Sequence, residues 1–179
     1  MIFRHLPWFI ASVAALGSMA CTDSAGPKAA GAVRIQPLGG CGAGPYLIPL
    51  NAQTPLTDTN GAYASRATNG GGVKVQCSVA KSGDGYQLHI EMEDSNAFNM
   101  NGAVQPTGDK QAGSGSVGFW AGGYAVSAQD CSIEVPPTQE IAKGRVWGNV
   151  VCENGVQEGA AGSSPCRFRA DVLAENCSD

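Results

Sequence analysis

The chain has 179 residues, and its 11 Lys and Arg against 15 Asp and Glu give a formal net charge of −4 at pH 7. A mildly acidic chain gains no free energy from contact with phosphate backbones, so this balance argues against a nucleic-acid partner. The length suits one domain that buries most of its apolar surface. The 25 glycines, with Asn-Gly at four places, predict many tight turns between short strands.

The first 20 residues have the layout of a secretory signal peptide. Arg4 and His5 give a weakly basic start, residues 8–16 are mostly apolar, and small residues stand at 17, 18 and 20. A membrane-spanning helix needs about 20 apolar residues, and this run is about half as long. We therefore expect residues 1–20 to be removed on export.

The segment Ser18-Met19-Ala20-Cys21 resembles the lipobox of bacterial lipoproteins, although Ser18 stands where that family carries an aliphatic residue. The resemblance implies that the Cys21 thiol is diacylated and that its acyl chains anchor the protein to a bacterial membrane. Thr22 implies the outer membrane, if the cell has one. The alternative is ordinary cleavage after Ala20 and secretion of a free protein, because Ser18 and Ala20 also fit the small-x-small rule.

Six further cysteines, an even number, predict three disulfides in an oxidising, extracytoplasmic compartment. They are Cys41, Cys77, Cys131, Cys152, Cys166 and Cys177. Cys152 and Cys166 stand at the two ends of a loop between predicted strands, so we expect them to bridge. The other four can pair in three ways, and one of these joins the first to the second and the third to the fourth along the chain.

Metal ligands are sparse in this sequence. It contains no Cys-x-x-Cys, and after signal cleavage His89 is the one remaining histidine. Structural zinc sites group their ligands at short spacings, so we expect neither a metal nor another cofactor.

Residues 21–40 are small and polar with two prolines, and we expect a flexible spacer after the lipidated cysteine. One β-domain is predicted over 41–179. Residues 41–72 give a poor signal, typical of loop with one edge strand. Apolar and polar side chains then alternate over 73–80 and 86–93, on both sides of a Gly-Asp-Gly turn, which predicts a hairpin with one buried face.

Further stretches predict strands at 97–104, 117–128, 131–135, 146–152 and 166–174, with a bulge or turn at Gly122-Gly123 inside the second of them. The expected fold is all-β, an antiparallel β-sandwich of about seven to eight short strands stapled by disulfides.

Gly113 to Gly118 matches Gly-x-Gly-x-x-Gly. That motif binds phosphate only between a strand and a helix, so we interpret the segment as a loop.

Catalytic candidates are few. His89 is expected on the polar face of its strand, and no Gly-x-Ser-x-Gly motif is present. Glu91 and Glu93 share one strand face and could bracket a sugar or hold a cation, while solvated surface charge is the simpler interpretation. The segment 58–61, Asp-Thr-Asn-Gly, resembles the start of a calcium loop, and we interpret it as a polar turn.

Two tryptophans are candidate ligand contacts. Trp120 is a chain neighbour of Phe119, so the two rings point to opposite faces of their strand, one into the core and the other towards solvent or a second layer. Trp147 is predicted on the face opposite Val146 and Val150. Outward aromatic rings can stack on sugar rings, whereas a second layer over both faces of the strands would bury them.

The predicted function is a lipid-anchored cell-envelope protein whose β-domain is a structural or interaction module without catalysis. Its acylated cysteine, spacer and cysteine-bridged β-domain resemble small surface lipoprotein antigens of bacteria, which implies a location and no activity. The expected partners are the membrane, through the acyl chains, and an envelope protein or glycan. One alternative is a secreted or surface carbohydrate-binding module that uses Trp120 or Trp147. A less favoured one is a glycan hydrolase with Glu91 and Glu93 as paired carboxylates.

Overall fold

The computed structural model describes residues 29–42, 44–48, 67–68, 73–158 and 164–178. The expected signal peptide, the lipidation site Cys21 and the segment 58–61 lie outside these residues. Every regular element in the described ranges is a strand, and none is a helix. The prediction of an all-β fold is therefore confirmed.

Eleven strands form one antiparallel sheet in the described part of the chain. They are β1 (Ala30–Gly39), β2 (Tyr46–Ile48), β3 (Ala67–Thr68), β4 (Lys74–Ser82), β5 (Gly85–Glu93), β6 (Ala97–Thr107), β7 (Lys110–Ala121), β8 (Tyr124–Val135), β9 (Ile141–Ala142), β10 (Arg145–Glu158) and β11 (Ser164–Glu175). Their spatial order is β2-β1-β11-β10-β8-β7-β6-β5-β4, with β3 beside β1 and β9 beside β10. Consecutive hairpins thus build one side of the sheet, and the first and last long strands pair on the other.

The sheet is a curled half-barrel, not a clear two-sheet sandwich, which corrects both the predicted architecture and the count of seven to eight strands. Alternate side chains of the strands point to its concave side and form one main core, with Ile35, Phe98 and Phe168 among the most buried. A twisted sheet with one apolar face can bury that face by curling upon itself, so no second layer is needed.

The two edges of the sheet approach each other. Gly31 of β1 lies so close to the Met92 side chain of β5 that an added Cβ would collide with it. At the C-terminus, Ser178 forms a parallel bridge with Ser78 of β4, and the Val79 amide donates to the Ser178 carbonyl at 3.0 Å. These contacts join strands from opposite ends of the sheet order and complete the curl.

The predicted hairpin over 73–93 is confirmed as β4 and β5, with Val75, Val79, Ile90 and Met92 buried on its inner face. The stretch 117–128, predicted as a strand with a bulge or turn at Gly122-Gly123, consists of two strands joined by a turn. Gly122 and Gly123 have φ of 59° and 86°, which suits a tight turn between β7 and β8.

The segment 113–118 is part of β7 and not a loop, so that interpretation was wrong. Its residues pair with β6 on one side and β8 on the other. The glycines are required by packing: a Cβ at Gly115 would collide with the Asn101 carbonyl and approach Ile133 Cδ1. Glycine-rich sequence here marks close strand contact, not a turn.

The predicted spacer over 21–40 is wrong for its second half, because Ala30–Gly39 forms β1. This strand lies between β2 and β11 and buries Val33 and Ile35 in the main core. The small residues of this stretch are compatible with strand pairing when β11 and β2 lie on both sides. Sequence composition alone does not reveal those neighbours.

Three disulfides are present, as predicted, but the expected pairing is wrong. The bonds join Cys41 to Cys166, Cys77 to Cys177 and Cys131 to Cys152, with Cα–Cα distances of 4.6, 4.8 and 4.4 Å. The strands β10 and β11 do pair, as expected for Cys152 and Cys166. However, the register shifts between residues 152 and 155, so that Cys152 faces Phe168 and Cys166 faces Gly155.

Cys131–Cys152 lies where two strands are irregular together. The pairing of β10 with β8 runs over 149–151 and again over 156–158, with a gap between. Both strands carry an extra residue there, and Asp130 adopts a φ of 56°. Bulges increase local bending of a sheet, so the disulfide joins β8 to β10 where the ladder of hydrogen bonds is interrupted.

Candidate ligand-binding face

The outer side of β4 to β8 carries most of the predicted site residues. Cross-strand pairing aligns Lys74, Glu93, Ala97, Trp120 and Ala125 in one row across these five strands. The adjacent row holds Gln76, Glu91, Asn99, Gly118 and Ser127. We call these two rows the Trp120 face. Five strands at about 4.8 Å spacing give the face a width of about 19 Å.

Trp120 is the dominant side chain of the Trp120 face and is 50% exposed. Its cross-strand neighbours are both alanines, Ala97 and Ala125. The next outward position on its own strand is Gly118. Because these neighbours are small, the indole ring is not enclosed by bulky side chains on either flank.

The backbone beneath Trp120 is held from the core side. Phe119 is buried, and its ring makes an edge contact with Phe168 at a centroid distance of 5.0 Å. The Tyr46 hydroxyl donates to the Ala121 carbonyl at 3.1 Å, and the Tyr46 ring lies 6.3 Å from that of Phe119. Both chain neighbours of Trp120 are therefore fixed, and a ligand-contacting side chain on a rigid strand loses little freedom on binding.

Two depressions adjoin on this face and share Ala97 and Asn99. The larger, about 330 Å³, is bordered by Trp120, Asn99, Ser116, Ser127 and Gln129 among others. Small-molecule sites occupy roughly 300–1,000 Å³. The smaller depression, about 140 Å³, lies towards Lys74, Gln76, Glu91 and Glu93. Aromatic, amide, hydroxyl and carboxylate groups thus border these two adjoining depressions, which we together call the hollow.

The carboxylates at one end of the Trp120 face each have a basic neighbour. Glu93 lies 3.7 Å from Lys74 Nζ, and Glu91 lies 3.6 Å from His89 Nε2. His89 Nδ1 is 2.5 Å from Asn101 Oδ1. The His89 ring thus lies between Asn101 and Glu91. His89 is on the polar face of its strand, as predicted.

Trp147, the second candidate, does not belong to this face. It lies on the outer side of β10, opposite Leu173 of β11, and is only 9% exposed. Leu173 itself pairs with Ala32 of β1 on its other side, and both of these residues are 0% exposed. The outer side of the sheet is therefore covered here. Of the two interpretations, an outward ring and a buried one, the first holds for Trp120 and the second for Trp147.

An ion cluster around a buried carboxylate lies next to Trp147 on the same outer side. Asp171, 7% exposed, accepts hydrogen bonds from Arg34 Nε at 2.8 Å and Arg169 Nε at 2.9 Å. Arg169 also donates to Asn149 Oδ1 at 2.9 Å, and the Asn149 amide donates to Gln139 at 3.2 Å. The cluster sets one carboxylate against two guanidinium groups, and its hydrogen bonds join β1, β11 and β10.

An exposed ion pair lies further along the same outer side of β10 and β11. Arg167 donates two hydrogen bonds to the Glu153 carboxylate. These bonds hold the pKa of Glu153 below its ordinary value of 4.5 and raise the pKa of Arg167. The pair is fully solvated and belongs to the surface.

Sequence reasoning missed the polar residues Gln76, Asn99 and Ser127 of the Trp120 face, and Gln129 beside it. Asn99 lies outward in a strand whose alternation was visible, so the pattern of β6 could have identified it. Ser127 could be aligned with Gly118 only by choosing a two-residue turn over a bulge at Gly122-Gly123, because that turn sets the register of β8 beside Trp120.

No helix in the described part of the chain has the length and hydropathy needed to cross a membrane. No group of three or more His, Cys, Asp and Glu side chains in the described ranges is arranged to hold a metal ion. The three disulfides indicate an oxidising, extracytoplasmic environment. No protein-family model, curated protein sequence or solved structure matches this chain.

Proposed function

We propose that this protein is a lipid-anchored component of the bacterial cell envelope, and that its β-domain binds a ligand on the Trp120 face without catalysis. Acyl chains on Cys21 attach it to the membrane. Cys21 is nine residues from Ala30, the first residue of β1. A chain of that length reaches about 30 Å at most, so the domain stays close to the lipid surface.

The anchor is supported by the sequence before the domain and by the disulfides within it. The six cysteines of the described domain are all paired. Cys21 is therefore the odd cysteine, and it stands directly after a segment with the layout of a signal peptide. Acylation uses this thiol, whereas ordinary secretion would leave it free.

The observation that carries the binding proposal is the position of Trp120. A half-exposed indole on a rigid strand, bordering a hollow lined by polar side chains, is costly to leave in water and useful for contact with a ligand. The other large exposed apolar side chains in the described ranges, Leu38 and Val156, do not border this hollow.

The anchor is tested by the intact mass of the protein from native membranes, measured unreduced and then after reduction and alkylation. We expect residues 21–179 plus acyl chains, with six alkylations that appear only after reduction. A mass without acyl chains, or seven alkylated thiols, would show that Cys21 is not lipidated.

Binding is tested by sedimentation of the purified soluble domain with envelope fragments from the cells that produce it. We expect Trp120→Ala to lose most of the bound fraction. Leu38→Ala, which removes an apolar side chain of similar exposure elsewhere, is the matched control and should retain it. Equal binding by both variants would exclude the Trp120 face.

A further inference from the structure

We infer that the ligand of the Trp120 face is an uncharged saccharide, whose pyranose ring stacks on Trp120 while its hydroxyls bond to Asn99 and Ser127. This inference rests on the proposed binding function and identifies the class of ligand. It follows from the shape, polarity and charge of the face.

The first argument is the geometry around the indole. A pyranose ring presents an apolar side of C–H groups and a rim of hydroxyls, so it needs a flat apolar surface with hydrogen-bonding groups beside it. Trp120 provides the surface, and Ala97 and Ala125 on both flanks leave room for a ring to lie against it. Stacking of this kind retains the solvation of the hydroxyl rim.

The second argument is the type of polar group beside the ring. Asn99 and Gln129 carry amides, and Ser116 and Ser127 carry hydroxyls. Amides and hydroxyls both donate and accept hydrogen bonds, as sugar hydroxyls do. Asn99 lies in both depressions, so its amide can contact a ligand that extends from Trp120 towards Glu91.

The position of Asn99 depends on a glycine. A Cβ at Gly118 would lie 3.0 Å from both the Nδ2 and the Oδ1 of Asn99, closer than an ordinary contact. The amide therefore lies over Gly118 and forms part of the floor of the hollow. Alanine at this position would displace the amide without changing Trp120.

The third argument is charge. Two carboxylates, Glu91 and Glu93, stand against one ammonium group, Lys74, at this end of the face, so their formal charges sum to −1. An acidic polysaccharide or a nucleic acid would be repelled there. A protein partner is less well matched, because Trp120 is the one large exposed apolar side chain among the residues lining the hollow, whereas protein interfaces need a broader apolar centre.

The test is a titration of the disulfide-bonded domain with neutral hexasaccharides, namely cello-, xylo-, manno- and chitohexaose, and with an oligogalacturonate of equal length. Calorimetry gives the affinity. Tryptophan fluorescence shows whether the ligand binds beside Trp120, since this residue and buried Trp147 are the two tryptophans of residues 21–179. We expect at least one neutral oligomer to bind and to change the fluorescence, and the acidic oligomer not to bind.

Two variants locate the site. Trp120→Ala should weaken binding by about tenfold or more, which corresponds to about 1.4 kcal/mol. Gly118→Ala should weaken it while the fluorescence of the unliganded protein stays unchanged. Leu38→Ala should bind as the wild type does. Unchanged circular dichroism and midpoint of unfolding show that each variant is folded.

The outcomes separate this inference from the proposed function. If no neutral oligomer binds but sedimentation with envelope fragments still depends on Trp120, the saccharide assignment is wrong and the binding face stands. Binding of the acidic oligomer alone would overturn the charge argument. Saccharide binding unaffected by Trp120→Ala would place the site elsewhere, and loss of Trp120 dependence in both assays would reject both proposals.

Discussion

Trp120 and Trp147 occupy equivalent kinds of position and have opposite environments. Each lies on the outer side of a long strand, directly beside an inward core residue, Phe119 or Val146. Trp120 has alanines on both flanks and is half exposed, while Trp147 lies beside fully buried Leu173 and is almost completely covered. The outer side of β4 to β8 is thus open to solvent at Trp120, whereas that of β1, β11 and β10 is covered around Trp147 and Leu173.

The different environments of the two tryptophans show that strand alternation assigns a side chain to a face but does not decide whether that face is covered. On the covered side, polar groups must find partners within the protein, and Asp171 does so with two arginines. On the open side, polar groups such as Asn99 and Gln76 are free to contact solvent or a ligand. Four experiments test whether the covered and open sides differ in this way.

The largest effect is expected for Trp147→Ala. Removing a buried indole should lower the free energy of unfolding by about 4 kcal/mol, because the variant loses apolar burial and leaves a cavity. Trp120→Ala, the matched change on the open side, should lower it by less than about 1 kcal/mol. Urea denaturation of both variants measures this difference, and similar losses would mean that the two faces are equally covered.

The second experiment addresses the boundary between the two regions. Cys131–Cys152 joins β8 to β10 and closes a sequence separation of 21 residues. Replacing both cysteines with alanine should lower the free energy of unfolding by about 3 kcal/mol, mainly because the unfolded chain gains conformational entropy without the crosslink. Urea denaturation followed by circular dichroism should still show one transition at a lower midpoint, because β8 and β10 remain paired on both sides of the bulge. An unchanged midpoint would contradict this expectation.

The third change removes the carboxylate charge of Asp171 on the covered side. Asp171→Asn should cost about 2 kcal/mol, because Arg34 and Arg169 keep their charges but lose a carboxylate that both contact. The control is Glu134→Gln, which breaks an exposed pair with Lys110 at 3.0 Å and should change stability by about 0.5 kcal/mol or less. Thermal unfolding at one pH compares the two variants. Equal effects would show that Asp171 is solvated.

The smallest effect is expected at the exposed end of the same side. Because the pKa of Glu153 is lower in the folded protein, its ion pair stabilises the fold above the ordinary pKa of 4.5. The contribution is lost as the pH falls through the folded-state pKa. Glu153→Gln should therefore be slightly less stable than wild type at neutral pH and equally stable in strong acid. Denaturation midpoints over that pH range measure the difference, which should not grow as the pH falls.

Much of the local structure could be predicted from the sequence. The alternation around residues 73–93 was enough to assign the hairpin and its buried face. The even set of six cysteines was enough to expect three disulfides, and the adjacency of Phe119 and Trp120 placed them on opposite faces. These predictions hold because side-chain direction along a strand has a period of two residues and depends on nothing distant.

The tertiary structure decided what depends on contacts far apart in the chain. Cys41 bonds to Cys166 across 125 residues, and β1 forms only because β11 and β2 flank it. Trp120 and Glu91 meet on one face because three neighbouring strands share one register. Strand register, bulges and the curl of the sheet arise from all pairings together, and no local pattern of residues contains them.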